Sequence, residues 1–299
     1  MKFTGQHSYI LNEQDLLSQK VKSKLSWAYK AFDEDLGRFV VLQELNPKHH
    51  KNPNTLEQFK KEAKFPFSGE YLQKIYELFE DRGRWFIALE YVEGIDLKQF
   101  LLQNKNYFRQ YPEDARSFFI QTLNGLKHMH EAGYVHCDIK PSNLIVSKRE
   151  DQKIKATIID YGQSRKIQQA DYINDFPCSL LYSSPEQVLN AKSLIDASSD
   201  LYSLGICLYE TLSGQFPFKS ENPLKLMILQ LNTELHAHKN IPDEWFRIIL
   251  KATQKQIFPK PPKYYPKPKR LVLLKEGQAN RFTSAEEMIQ AILQVKIDK

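Results

Sequence analysis

Short runs of alternating apolar and polar positions dominate the first third of the chain, and apolar positions spaced by three and four dominate the rest. Alternation over 27–32, 39–45, 74–79 and 85–92, in stretches rich in β-branched and aromatic side chains, predicts a small antiparallel sheet. The first 20 residues are mixed and carry no repeat, and are expected to pack on that sheet as an extension. After Gly94 the period turns helical. Pro112-Glu113-Asp114-Ala115 opens a helix with proline and acids in its first turn; Phe118, Phe119, Leu123, Leu126 and Met129 follow at helical spacing, and Gly133 ends it. Further helices are predicted over 185–190, 199–214, 223–232, 243–255 and 283–296. The pattern reads as α+β, with a small β lobe on a larger, mainly helical one.

One stretch breaks the pattern. Residues 255–275 read KQIFPKPPKYYPKPKRLVLLK, with five prolines and no acid. Proline at that density favours extended, exposed chain over packed helix. The segment reads either as a solvated insertion or as a docking segment for an acidic partner, membrane head groups or nucleic acid, with Tyr264 and Tyr265 as aromatic contacts. A whole-chain charge of +6 is only mildly basic, so nucleic-acid binding is not implied. Three cysteines, at 137, 178 and 207, fit neither a disulfide framework nor a zinc site; reduced thiols and a cytoplasmic setting are the simplest account. The N-terminus opens no apolar secretory core, and no run approaches the roughly 18 apolar residues of a membrane span, so membrane insertion is not expected. With 299 residues and 41% hydrophobic content, the chain can bury a substantial core.

Chemistry concentrates between positions 136 and 162. His136-Cys137-Asp138-Ile139-Lys140-Pro141-Ser142-Asn143 is followed by Ile158-Ile159-Asp160-Tyr161-Gly162, each set flanked by apolar, strand-like sequence. Together they offer a base (Asp138), a cation for a phosphoryl group (Lys140) and two hard oxygen ligands suited to Mg²⁺ (Asn143, Asp160). The wording resembles the H-R-D-x-K-P-x-N and D-F-G motifs of the protein kinase family, with Cys137 where arginine is usual and Tyr161 where phenylalanine is usual. Three later blocks resemble the same family in order: Tyr182 to Gln187 as the end of an activation segment, Ser198 to Gly205 as a central buried helix, and Asn280 to Glu287 as a last block whose Arg281 would pair with Glu186. A lysine at 140 looks like the Ser/Thr-specific branch, and the wording looks bacterial.

The front half resembles the family less sharply. Leu89-Glu90-Tyr91-Val92-Glu93-Gly94 looks like the hinge, with Leu89 as gatekeeper and the backbones of Glu90 and Val92 facing the adenine edge. The resemblance places Asp96 near the ribose, Ile145 under the adenine, and Glu62 on a regulatory helix that Pro66 should shorten. The lobes then run over about 1–93 and 94–299 as a single kinase domain, with 255–275 as an insertion. Two departures stand out. Gln43 occupies the place of the family's strand-three lysine, in a register supported by Val41 and Gln43 sharing one strand face. The segment from Val21 to Ala28 takes the place of the glycine-rich loop without containing a glycine, and offers Lys22 and Lys24 either as substitute phosphate contacts or as ordinary surface lysines. Cys137 removes the cation that often receives an activation-loop phosphate, and Cys178-Ser179 replaces the family's Gly-Thr, with the Ser179 hydroxyl able to bond Asp138 and Lys140.

The resemblance implies a Ser/Thr protein kinase that uses ATP and Mg²⁺ on protein hydroxyls. Gln43 and the glycine-free loop keep open an alternative, a pseudokinase acting as a nucleotide-sensing or scaffolding module. A transferase acting on a small molecule, or on another part of the nucleotide, fits the activation-segment resemblance less well.

Overall fold

The computed structural model describes residues 1–16, 25–50, 52–148, 153–167, 181–258, 260 and 262–297. The chain forms two compact units, Met1–Glu93 and Gly94–Lys299.

In the first unit, alternation produces one antiparallel sheet of six strands: β1 (Lys2–Thr4), β2 (Ser8–Leu16), β3 (Ser26–Asp33), β4 (Arg38–Leu45), β5 (Ile75–Asp81) and β6 (Arg84–Glu90). They run in the order β1-β2-β3-β4-β6-β5. The N-terminal residues thus extend the sheet as two strands, which their mixed composition did not predict. Strands β5 and β6 are joined by Arg82 and Gly83, both at positive φ (51° and 73°), the backbone that a tight two-residue hairpin demands. Successive residues of β4 point to opposite faces. Val40 and Leu42 join Tyr9, Tyr29, Phe79 and Phe86 in one apolar cluster. Val41 faces the other side, where Phe59 packs with Leu45, Ile87 and Leu89. Phe59 belongs to α1 (Pro53–Glu62), started by Pro53 and by the Asn52 side chain, which accepts from the Asn54 and Thr55 amides. The helix stops at Glu62, four residues before Pro66, as the clash of a proline ring with the preceding turn requires.

The second unit is mainly helical: α2 (Leu97–Gln103), α3 (Tyr107–Gln110), α4 (Pro112–Glu131), α5 (Pro185–Val188), α6 (Ala197–Ser213), α7 (Pro223–Asn232), α8 (Asp243–Ala252), α9 (Lys267–Gln278) and α10 (Ala285–Leu293). Between α1 and α10 the class is α+β, a small antiparallel unit and a larger helical one. Helix α6 is buried along nearly its whole length and apolar on most sides, the signature of a central core helix. Asp196 caps its start and Gly214, at φ 73°, ends it. Two small sheets complete the unit: β7 (Ile95–Asp96), β9 (Leu144–Lys148) and β10 (Ile154–Ile158) in the order β10-β9-β7, and β8 (Tyr134–Val135) with β11 (Arg165–Lys166).

The proline-rich segment departs from expectation. Instead of remaining extended, its second half, from Lys267, forms α9, with Leu274 packed against Ala191 and Phe258. Proline does not prevent this because all five prolines of the segment lie at or before position 268, and Pro268 falls in the first helical turn, where the missing N–H has no partner to lose. Lys267, Lys269 and Tyr264 remain exposed. Among the described residues, no helix is long and apolar enough to cross a membrane.

Candidate active site

In the second unit, the β9–β10 hairpin and a 3-10 turn at Pro141–Asn143 gather the polar residues of the 136–162 segment. Lys140 Nζ donates to Asp138 Oδ2 at 2.5 Å. Asn143 Nδ2 donates to the Asp138 carbonyl at 2.9 Å and to its Oδ2 at 3.1 Å. Both amide hydrogens are therefore turned to Asp138, which leaves the amide oxygen as the end of Asn143 able to ligate a cation. Leu144 pairs with Ile158 across the hairpin, and the Ile159 amide donates to the Asn143 carbonyl at 3.0 Å. The ladder thus sets Asn143 and Asp160 at the same end of the hairpin. Asp160 is exposed and held at φ 66°, with Oδ1 accepting from the Gly162 amide at 3.3 Å. An outward carboxylate and an amide oxygen are hard donors of the kind Mg²⁺ takes in small number, the rest of its shell being water and phosphate.

A buried carboxylate holds this loop in place. Asp200, on α6, accepts from the backbone amides of His136 and Cys137 at 2.8 Å each and contacts His130 Nε2 at 2.9 Å. Burial alone would raise its pKa, but the His130 hydrogen bond, the two nearby imidazoles and the His136 amide outweigh that and hold it below the usual carboxylate range. Cys137 adopts φ 67°, a left-handed conformation uncommon for a residue with Cβ, and its carbonyl accepts from Gln187 Nε2 at 2.7 Å. Its side chain is buried with Val135 and Ile195, and that burial pushes the thiol pKa up. Tyr161 is buried, stacks edge-on against His136 at 5.9 Å, and donates to the Ile158 carbonyl at 3.3 Å.

Glu186 and Arg281 form a buried two-point ion pair, at 2.7 and 3.1 Å. Ser199 donates to the same carboxylate at 2.7 Å, and Arg281 Nε donates to the Gln254 carbonyl at 2.7 Å. Burial pushes the Glu186 pKa up, but the guanidinium and these hydrogen bonds carry it below the usual value. The pair fastens the start of α5 to the segment before α10, as the resemblance to kinases implied.

Asp96 and Ile145 are direct partners across β7 and β9, so the two positions expected near ribose and adenine are neighbours. Asp96 also caps α2, accepting from the Gln99 amide at 2.8 Å. Gly94 approaches the Val146 carbonyl so closely that a Cβ would lie 2.4 Å from it, at φ 135°; only glycine fits.

In the first unit, Gln43 lies opposite Ala28 in β3, and its Nε2 donates to Ser26 Oγ at 2.9 Å. Glu62 is buried at the end of α1 and Leu89 is buried in β6. The Glu90 amide donates to the Lys74 carbonyl, and the Glu90 carbonyl accepts from Gln73 Nε2, each at 2.8 Å. Val92 follows the end of β6, outside any strand. Lys22, Lys24 and Ser179 lie outside the described residues.

A model of the protein kinase domain matches residues 23–296, nearly the whole chain. The chain belongs to the protein kinase family. It is 30% identical over 238 residues to the serine/threonine-protein kinase PrkC of Bacillus subtilis, a match covering 77% of this chain and 35% of that protein. A probable serine/threonine-protein kinase of Bifidobacterium longum is 30% identical over 225 residues, 73% of this chain and 28% of its own. Another, from Clostridium perfringens, is 28% identical over 293 residues, 96% of this chain and 39% of its own. The chain therefore spans about a third of the length of these curated relatives.

Within this kinase domain, three contributors escaped the sequence reading. Asp200 anchors the loop bearing Asp138; the available signal was an acid inside an otherwise apolar helical run. Gln187 holds the Cys137 carbonyl, and Ser26 receives the amide of Gln43. Neither contact has a signature in spacing, because each joins segments that only the fold brings together.

Proposed function

We propose that this kinase domain transfers the γ-phosphate of ATP to Ser/Thr hydroxyls of protein substrates, with Mg²⁺ as the companion ion. The Asp138–Lys140–Asn143 cluster carries the reading: a carboxylate with an ammonium at 2.5 Å and an amide whose oxygen is left to ligate. Asp138 accepts the hydrogen bond of the incoming hydroxyl and aims it at phosphorus, while Lys140 neutralises charge on the moving phosphoryl group. Asn143 and Asp160 hold the metal, whose charge screens the phosphate oxygens when it is bound. Asp200 keeps the loop rigid beneath them. The kinase resemblance assigns Glu90, Val92, Asp96 and Ile145 to the nucleoside and Leu89 to the gatekeeper position.

Gln43 cannot supply the cation that the family places at this point. One positive charge about 4 Å from a phosphate is worth ~4 kcal/mol at an effective dielectric near 20, so nucleotide anchoring is weak unless Lys22 or Lys24 contributes. The second reading, a nucleotide-sensing or scaffolding module, rests on the uncharged Gln43, whose amide is committed to Ser26. The buried, unbridged thiols of Cys137 and Cys207 suit a reducing, cytoplasmic setting.

Labelled ATP and Mg²⁺ supplied to the purified chain, with casein as a test polypeptide, separate the two readings. Transfer to Ser or Thr is expected, and the Asp138→Asn variant should lose on the order of 10²–10⁴-fold in rate while remaining folded. Nucleotide binding without any transfer would favour the binding module, and turnover in Asp138→Asn equal to the parent would remove Asp138 from the reaction.

A further inference from the structure

We infer that the first unit carries a second, structural metal site for a borderline divalent cation of the Zn²⁺ class, formed by His7, Asp33 and Asp35 and separate from the residues assigned to phosphoryl transfer. His7 lies in the bend between β1 and β2, Asp33 ends β3, and Asp35 lies in the turn leading to β4. One ligand atom from each falls within 4.8 Å of the other two, and this is the one such cluster among the described residues.

Two observations point to a ligand. The His7 side chain is 31% exposed, but its Nδ1 is turned inward without a hydrogen-bond partner, with Asp33 Oδ1 at 3.7 Å, within ion-pair range only if the ring is protonated and beyond hydrogen-bond reach. An orphaned buried nitrogen beside two carboxylates is costly, and a cation between them removes that cost. The carboxylates are also held in place from outside the cluster. The Ser8 amide donates to Asp35 Oδ2 at 2.6 Å, the Leu36 amide to Asp33 Oδ1 at 3.1 Å, and Arg38 Nε meets Asp33 Oδ2 at 3.3 Å. Arg38 thus holds the far oxygen of Asp33, while the near one accepts from the Leu36 amide and lies 3.7 Å from His7 Nδ1.

The donor set selects the ion. An imidazole nitrogen with two carboxylate oxygens suits Zn²⁺, Co²⁺ or Ni²⁺ better than Mg²⁺. Three protein ligands leave a fourth tetrahedral position for water. Tetrahedral bonds of about 2.0–2.1 Å put neighbouring donors roughly 3.4 Å apart, so the cluster must tighten on binding. Asp35 is exposed in its turn and has the freedom to close. The bound ion would clip the β1–β2 bend to the β3–β4 turn and stabilise the N-terminal edge of the sheet.

Equilibrium dialysis of the chelator-treated 299-residue chain against Zn²⁺, paired with thermal melts and without nucleotide, tests this. One Zn²⁺ per chain and a raised melting temperature are expected, with no matching rise in Mg²⁺. His7→Gln and Asp35→Asn should each weaken binding at least as much as the roughly 10–100-fold loss that outer-shell changes cause, and should abolish the thermal rise. Asp35→Asn keeps an oxygen for the Ser8 amide, so a folded variant is available. Absence of Zn²⁺ binding, or affinity unchanged in both variants, overturns the site; neither result bears on phosphoryl transfer.

Discussion

Replacing Arg281 by leucine would expose how much the buried ion pair contributes. Its side chain and that of Glu186 are 1% and 0% exposed, so removing the guanidinium strands a carboxylate with Ser199 as its remaining side-chain donor. Breaking a buried pair from one side costs about 3–5 kcal/mol, against about 0–1 for an exposed pair. For a unit of this size, each kcal/mol moves the melting temperature by roughly 2–4 °C, so the second unit should melt about 6–20 °C lower. The sign with pH is also set. In the parent, the folded-state pKa of Glu186 is depressed, so its contribution is present above the unfolded carboxylate value and lost as pH falls through the folded one. In Arg281→Leu, burial, the largest influence on this carboxyl, acts without its main opponent and raises the folded pKa. The stability gap between parent and variant should therefore narrow as pH falls from 7 toward the ordinary carboxylate value of 4.5. Calorimetric melts at several pH values, with the Glu186→Leu/Arg281→Leu double variant regaining most of the loss, provide the check. A single variant within about 1 kcal/mol of the parent, or a gap independent of pH, would refute the reasoning.

Gln43→Lys exchanges the Ser26 hydrogen bond, worth about 1 kcal/mol, for a cation worth up to ~4 kcal/mol beside phosphate; titration calorimetry with ATP should show tighter binding, and unchanged affinity would mean that Gln43 does not face the phosphates or that another cation already does. Gly277→Ala would set a Cβ 2.3 Å from the Gln256 amide nitrogen, so denaturant melts should show a loss of about 1–3 kcal/mol despite the better helix propensity of alanine; a gain would show that α9 does not rest on that backbone.

The sheet, the long helices and the polar cluster of the 136–143 segment were legible because they are local. Period sets strand or helix, proline and glycine mark the ends, and Asp138, Lys140 and Asn143 come together through a single turn. Even the distant Glu186–Arg281 pair was foreseen, through the resemblance to kinases. What the sequence could not show depended on neighbours brought from elsewhere. The N-terminal strands earn their alternation only against the sheet edge that pairs with them. Helix α9 forms because Leu274 finds Phe258 and Ala191 to bury against, which a composition of proline and lysine conceals. Asp200 beneath the Cys137 backbone joins segments far apart in the chain, and Gln43 turned to Ser26 and the His7 cluster depend on how neighbouring strands and turns pack. Sequence by itself determined which polar groups this chain gathers in one short stretch, because Asp138, Lys140 and Asn143 are set by type and spacing within a single turn. Tertiary structure alone decided what holds those groups still, because a buried polar atom takes whichever partner the fold delivers.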